Sequence, residues 1–595
     1  MTPQTTIPQM FAARVAAGGD APFLWRREGG GENQNWTPLS WNEVSRQVER
    51  LAALLHSLGV KDGDRVMLVS ENRPEFLVAD LAVLRLGAVC SFGFTTSTAG
   101  DLEHIVKDCE PSLFIVSPSD AGMKTLAAAD AVGNGNPAVI LPQLEVESSG
   151  GGRQRDGGRE IHHWHDALGQ DPAALPPAPE DAAALACLIY TSGTSQNARG
   201  VMLTHHNLLS NCAAVAEILE PLPVTHDDGR SRFLSFLPMS HSYELTAGQL
   251  LPLWLGAEIG YVARAEELLP SFASFSPTLA LAVPRFYDLV LHRMKQGARG
   301  ASPVKRFLFE QTLRCGLRDL DGALPLYLRP WNALLERLVR AKVRARFGGR
   351  LYAFVSGGGA LNPETGRGLS ALGLRILQGY GQTETSPVVS VNRPPLVKLH
   401  TAGPPLGGVE VKTSPEGEIL VRGDLVMRGY WRRDDETREV LPGDGWLRTG
   451  DLGHLDADGH VVITGRAREV LVLRGGENVP PVRPEAALTN QPEIDQALAL
   501  GDNRAYVAAL IVVSDDWRGR EGLDAAALHA ALAPAVARAN EELKPYERVR
   551  RYAVVGEGFS TENGLMTPTF KLRRARILSH FAAEAAGLFD GGEGE

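Results

Sequence analysis

Tyr190–His205 reads YTSGTSQNARGVMLTH and leaves an apolar run, Ala183–Ile189. The apolar run is a buried strand by its length and composition. The segment after it is rich in Ser, Thr and Gly, so backbone N–H groups and hydroxyls can surround a polyphosphate at close range. Two of its glycines, Gly193 and Gly200, frame the turn. A generic Ser/Thr/Gly turn is the plain alternative for such a loop taken alone. The segment has no GxxxxGK[ST] pattern, so a kinase or GTPase of the P-loop type is excluded on its own motif.

Outward from this loop, strands and helices alternate. Residues 40–58 (SWNEVSRQVERLAALLHSL) carry apolar positions at helical spacing behind Ser40, an expected N-cap, and Gly59 ends that helix. Arg65–Ser70 and Leu113–Val116 read as buried strands, with a helix over Glu75–Leu86. This alternation predicts an α/β fold with a largely parallel sheet. Residues 144–182 are dominated by Gly, Pro and charge and read as a surface excursion. Its HHWH stretch (His162, His163, His165) reads as solvated, because no carboxylate or Cys partner stands at metal-ligand spacing. The alternation resumes at Phe233, and 301–350 is mostly helical. Its LERLVRAKVRARF stretch is basic and amphipathic; an anionic lipid or a nucleic acid is one reading, a solvated helix face the commoner one.

At 595 residues the chain needs more than one core. We expect a large domain over 1–466 and a small α/β domain over 467–595, the tail Phe589–Glu595 being disordered. A net charge of −10 gives no indication of nucleic-acid binding. The five cysteines form no CxxC pair, so zinc and disulfide frameworks are not expected and a reducing cytoplasm fits. The first residues have no basic start and no apolar core, and no run of about 18 apolar residues exists to span a bilayer. Peripheral membrane contact and a homodimer stay open.

Further segments carry candidate chemistry. Ser356–Leu361 (SGGGAL) follows the strand LYAFV, and its glycines admit a flat ligand close to the backbone. Tyr380, in Tyr380–Asn392 (YGQTETSPVVSVN), offers either a stacking face for a purine or a core ring. Glu384 is the carboxylate of that stretch, suited to Mg²⁺ carried by a nucleotide unless it is a surface residue; Thr383 offers a hydroxyl to phosphate. Asp451 lies in Gly445–Arg466 (GWLRTGDLGHLDADGHVVITGR), where a fixed carboxylate can accept ribose hydroxyls. Its neighbour DADG is a hairpin turn. Lys571, in TPTFKLRR, is one cation of a basic cluster.

Together these segments, with LSFLPMSHSYE (Leu234–Glu244), VPRFYDLV and ENGLMTPTFKLRR, resemble the adenylate-forming superfamily of acyl-CoA synthetases, in particular its long-chain branch. The resemblance runs over nearly the whole chain. It implies a large N-terminal domain of stacked α/β subdomains, a small mobile C-terminal domain, and a two-step reaction using ATP, Mg²⁺ and coenzyme A on a fatty acid. Thr191, Ser192, Gly193, Thr194, Ser195 and Arg199 would then form the phosphate loop. Gly358, Gly359, Ala360, Tyr380 and Gly381 would hold adenine, Thr383 the α-phosphate and Glu384 the metal. Asp451 with Arg466 would bind ribose, and Lys571 would bridge carboxylate and α-phosphate. Arg468 falls at the hinge, where Lys or Asp is usual in the family; Gly475 and Gly476 fall on the coenzyme A side and His241 at the acyl pocket. The chain departs from the family's T-[ST]-G-x-P-K-G loop, with Gln196, Ala198 and Arg199 in place of Gly, Pro and Lys. A carrier-protein acyl ligase and a non-catalytic lipid- or nucleotide-binding relative are the alternatives.

Overall fold

The computed structural model describes residues 5–28, 35–142, 154–156, 158–169, 172, 175–191, 198–226, 228–514, 517, 525–561, 563–567 and 571–589. They form a mixed α/β protein with a large N-terminal part and a smaller C-terminal one. Two compact units divide the chain: Met1–Val411 with Val421–Leu447 and Asp456–Val461, and Lys412–Leu420 with Arg448–Leu455 and Val462–Glu595.

The first unit holds two large sheets. One runs, in spatial order, Gly429–Tyr430, Arg199–Thr204, Leu185–Thr191, Val89–Phe92, Arg65–Val69, Leu113–Val116, Ala138–Ile140, Arg159–His163 and Gln154–Asp156. Its centre is parallel, as the sequence alternation predicts, and both edges are antiparallel. The central strands are continuous apolar runs because both faces are covered. Val66 and Leu68 point into one core, Met67 and Val69 into another. The other sheet runs Val388–Val391, Ile376–Gly381, Ala353–Ser356, Leu279–Ala282, Arg232–Ser235, Glu258–Tyr261, Pro22–Glu28 and Asn35–Ser40.

Helix Trp41–Ser57 starts on a reciprocal capping box between Ser40 and Glu43, and Gly59 follows it at φ +92. Helix Pro74–Arg85 is buried along nearly its whole length, Glu75 and Asp80 included. Burial raises the Asp80 carboxyl to about 6.

Two expectations are corrected here. The 144–182 stretch is not wholly a surface excursion: Arg159–His163 pairs in parallel with Ala138–Ile140, and Ile161, His162 and Trp164 are buried. Arg159 makes this possible by donating to the carbonyls of Asn134 and Asn136 and to Asp130. His162 stands within 3.0 Å of Glu160 and is no solvated loop histidine. Residues 144–153 lie outside the described residues. In the basic helical region, Arg340 does not face solvent. It is 6% exposed and donates to the carbonyls of Thr312, Asn332 and Ala371, tying three helices together.

The second unit has a three-stranded sheet of Ile494–Leu500, Val507–Val513 and Val549–Val554. Alternate residues enter opposite cores: Ala497, Ala509 and Ile511 one, Leu498, Leu510 and Val512 the other. The tail beyond Phe589 lies outside the described residues. Among the described residues no helix is long and apolar enough to cross a membrane. All five cysteines are buried and free.

Candidate active site

Within the first unit the quoted segments meet at the carboxyl ends of parallel strands. Strands Ala353–Ser356 and Ile376–Gly381 run side by side with Ser356 opposite Gln378. SGGGAL and YGQTET therefore leave adjacent strand ends. Gly358 sits at φ +79, the left-handed region that glycine adopts at little cost. At Gly381 a Cβ would fall 1.7 Å from the Pro387 carbonyl oxygen, so only glycine lets the chain double back there. The return is fixed by Gln382 N–H and the Thr385 hydroxyl, both donating to the Pro387 carbonyl. Tyr380 is half-buried, Gly359 and Ala360 are exposed.

The turn Thr383–Thr385 carries the buried groups of the site. Thr383 Oγ1 lies 3.1 Å from Ser242 Oγ, joining YGQTET to LSFLPMSHSYE. Glu384 is 8% exposed, so it is not a surface residue. Its backbone carbonyl accepts from Met427 N–H at 2.9 Å, and its Oε1 accepts the Tyr430 hydroxyl at 2.9 Å. Burial, with Glu384 alongside, drives the Tyr430 phenol well above its ordinary range. The Arg199 guanidinium lies 4.3 Å from the Tyr430 ring centroid, and its Nη1 lies 3.3 Å from Glu436. Arg199 thus begins the strand Arg199–Thr204 with its charge engaged. Ser192, Gly193, Thr194, Ser195 and Gln196 lie outside the described residues; Thr191 ends the incoming strand.

Several buried polar atoms here have no partner among the described residues: Thr191 Oγ1, Gln378 Oε1 and Gln382 Nε2. Buried polar groups are nearly always paired, which makes these atoms candidates for contact with a polar ligand. His241 is half-buried, takes the Tyr243 N–H on Nδ1 at 3.2 Å and has the Phe94 ring at 6.3 Å. Beneath it, Glu244 opens a buried π-helical stretch, Glu244–Leu250. Burial pushes its carboxyl up to about 8, and Gln249 Nε2 donates to it at 3.0 Å. His205, at the end of VMLTH, is buried and lowered to about 4, its Nδ1 accepting the Ile7 N–H at 3.3 Å.

The remaining candidates belong to the second unit. Asp451 is 5% exposed and lies in strand Leu447–Leu455 rather than in a loop; Arg466 Nε is 3.2 Å from its Oδ1. Arg468 is exposed in the short turn Ala467–Glu469. Gly475 and Gly476 form a hairpin tip, with Gly476 at φ +89. Lys571 is exposed; its N–H donates to Thr567 Oγ1 at 3.0 Å and its carbonyl accepts the Thr567 N–H at 2.8 Å.

Sequence reasoning missed Ser242 and Tyr430. Ser242 lies inside a segment quoted for its likeness alone. Tyr430 sits in a two-residue strand, too short for any periodicity to register, and only its pairing with Val201 exposes its place.

The fold is that of the adenylate-forming enzymes. The adenylation domain of a carboxylic acid reductase from Segniliparus rugosus, solved with AMP and a co-purified carboxylic acid, is similar with a TM-score of 0.77. It is 20% identical, with 98% of this chain and 94% of that one covered. The chain belongs to the AMP-binding enzyme family, whose model matches residues 11–431, while the model of the AMP-binding enzyme C-terminal domain matches 468–593. A long-chain-fatty-acid–CoA ligase of Mycobacterium bovis is 32% identical, with 93% of each chain covered. A peroxisomal long chain acyl-CoA synthetase of Arabidopsis thaliana is 29% identical, over 93% of this chain and 81% of its own.

Proposed function

We propose that this enzyme is a long-chain fatty acid–CoA ligase that uses ATP. A carboxylate oxygen of a medium-to-long-chain fatty acid attacks the α-phosphorus, forming acyl-AMP and releasing pyrophosphate. The sulfur of coenzyme A, losing its proton, then attacks the acyl carbonyl carbon, and AMP leaves. The observation that carries this reading is the buried Thr383–Glu384 pair among unpartnered polar atoms at the parallel strand ends. Full-length similarity to fatty-acid–CoA ligases supplies the substrate class.

The roles follow the chemistry of each side chain. Thr383 donates its hydroxyl to the α-phosphate. Gly358, Gly359, Ala360, Tyr380 and Gly381 line the adenine, with Tyr380 presenting its face. Glu384 suits Mg²⁺, a hard cation that takes carboxylate oxygen and offsets phosphate charge; the Tyr430 hydroxyl holds that carboxylate in place. Asp451 accepts the ribose hydroxyls, oriented by Arg466. Lys571 offsets the charge building on phosphorus in the first step only. His241 closes the acyl pocket, Gly475 and Gly476 line the coenzyme A path, and Arg468 is the hinge. In this scheme 1–466 form the adenylate-forming domain and 467–595 the mobile one.

A second reading rests on Arg199. Its guanidinium is engaged with Glu436 and Tyr430, which suits a relative that binds nucleotide without turning it over. Acid-dependent pyrophosphate release from ATP, run over an acyl-chain series with and without coenzyme A, separates these. Release with long acids and AMP formation with coenzyme A support the ligase. Release that ignores coenzyme A points to a carrier-protein acceptor, and no release to a binding protein.

A further inference from the structure

The helical region over 284–346 differs from the rest of the chain in charge. It carries fourteen Lys and Arg against five Asp and Glu, a net +9, within a chain whose total is −10. The region comprises helices Pro284–Arg299, Pro303–Leu320, Arg329–Leu335 and Ala341–Arg346, the last two joined by the π-helical turn Glu336–Arg340. It has a small core of its own around Cys315, Leu324 and Leu335, and Arg340 locks it internally.

That core leaves large apolar side chains outside. Tyr327 is 78% exposed, Leu326 73%, Val304 68% and Phe307 52%. Leu334 and Leu338, one turn apart, are exposed as well. Most of the exposed large hydrophobic side chains of the described residues fall in this region. Lys305 and Arg306 stand between Val304 and Phe307, while Arg329, Arg337 and Lys342 flank the others, all exposed. Single exposed apolar residues need no explanation; a concentration of them interleaved with cations does.

We propose that this helical face docks the enzyme on an anionic lipid bilayer. Aliphatic and aromatic side chains enter the headgroup–acyl boundary, while Lys and Arg heads stay at the phosphate level on their long stems. The positive charge is drawn to the negative surface potential of such a membrane against the overall charge of the chain. A nucleic acid would use the cations but gives no reason for exposed Val304, Leu326 and Leu334. The choice of lipid rests first on those aliphatic side chains and second on the fatty-acid reading above.

The test uses the full chain with vesicles of phosphatidylcholine alone or with about 30% phosphatidylglycerol, and needs no turnover. At about 0.1 M salt we expect at least tenfold more protein to sediment with the anionic vesicles, falling as salt shortens the Debye length. Two variants separate the contributions: Val304→Ser with Phe307→Ser, Leu326→Ser and Tyr327→Ser, and Lys305→Gln with Arg337→Gln and Lys342→Gln. Each should lose at least fivefold in anionic-vesicle binding at an unchanged melting temperature. Independently of any variant, amide exchange of the parent on vesicles should slow over 303–346. Absence of binding, equal binding to both vesicles, or protection elsewhere overturns the proposal. So does stronger binding to duplex DNA with the apolar variant unaffected on vesicles. Failure of acid-dependent pyrophosphate release would remove the fatty-acid reading and leave the vesicle result standing.

Discussion

The Tyr430 hydroxyl donates to Glu384 Oε1 at 2.9 Å, linking the short strand Gly429–Tyr430, which pairs with Arg199–Thr204, to the turn Thr383–Thr385 that carries the metal-binding candidate. Removing one partner of a buried hydrogen bond costs about 1–3 kcal/mol. Tyr430→Phe should therefore lower stability by about that amount and shift the Mg²⁺ titration of acyl-AMP formation to higher concentration. Glu384→Gln should blunt the metal dependence further. A metal titration identical in parent and both variants would remove Glu384 from the site.

Lys571→Ala should cut acyl-AMP formation by about 10²–10³-fold, the scale for losing one preorganised electrostatic group. Under the proposed scheme, in which this amine acts in the first step only, thioester formation from supplied acyl-AMP should change little. Both half-reactions are to be followed separately by quenched flow. Equal loss in both, with the protein folded, would count as structural damage.

Asp451→Ala removes the acceptor paired with Arg466. Apparent affinity for AMP and ATP should fall together, by roughly 10- to 150-fold for a loss of about 1.5–3 kcal/mol. Calorimetric titration of AMP reads this directly. Loss confined to ATP would place Asp451 at the phosphates instead.

The phosphate loop should respond to restoration of its common form. In the replacement of Gln196, Ala198 and Arg199 by Gly, Pro and Lys, the Pro lowers the loop's ordering cost, the Gly allows close backbone approach, and the Lys exchanges the guanidinium beside Glu436 for a compact ammonium. The KM for ATP should drop severalfold with AMP binding unchanged. If Tyr430 and Glu436 have become adapted to the guanidinium, the triple replacement will harm ATP kinetics.

Glu244 gives a pH prediction. Burial raises its folded pKa to about 8, against about 4.3 for the unfolded chain. Between those values the folded state holds a proton that the unfolded state has lost. Its contribution is therefore complete below about pH 4.3 and fades as pH rises through 8. Glu244→Gln keeps an acceptor for Gln249 and cannot ionise. Relative to the parent, its stability should improve steadily from pH 5 to pH 8 in urea unfolding. Parallel curves for the two proteins would rule this out.

How much the sequence disclosed depended on whether local signals agreed with tertiary ones. The helix behind Ser40 was legible because capping box, period and terminating glycine coincide. Leu113–Val116 was legible because both faces are apolar. The strand Arg159–His163 was not: its polar residues are buried only because Arg159 satisfies carbonyls some 25 residues earlier. Arg340 looked solvated because most of its hydrogen-bond partners are backbone oxygens on other helices, which leave no mark in composition. At the candidate site, the sequence singled out the glycines and the Thr383–Glu384 pair by their residue types. The Tyr430 contact was not legible, since it depends on the pairing of two strands more than 200 residues apart.

The strand Pro22–Glu28 pairs with Glu258–Tyr261, setting Leu24 opposite Ile259. A ribosome adding about 5–20 residues per second needs roughly 12–47 s to go from Leu24 to Ile259, 259 − 24 = 235 residues on. For that interval the strand has Asn35–Ser40 as its one strand partner among the described residues. The open edge of the hairpin is a sticky surface on every nascent chain, long before any substrate pocket exists. Translation speed and chaperone occupancy between the synthesis of Pro22 and that of Tyr261 should therefore bear on soluble yield.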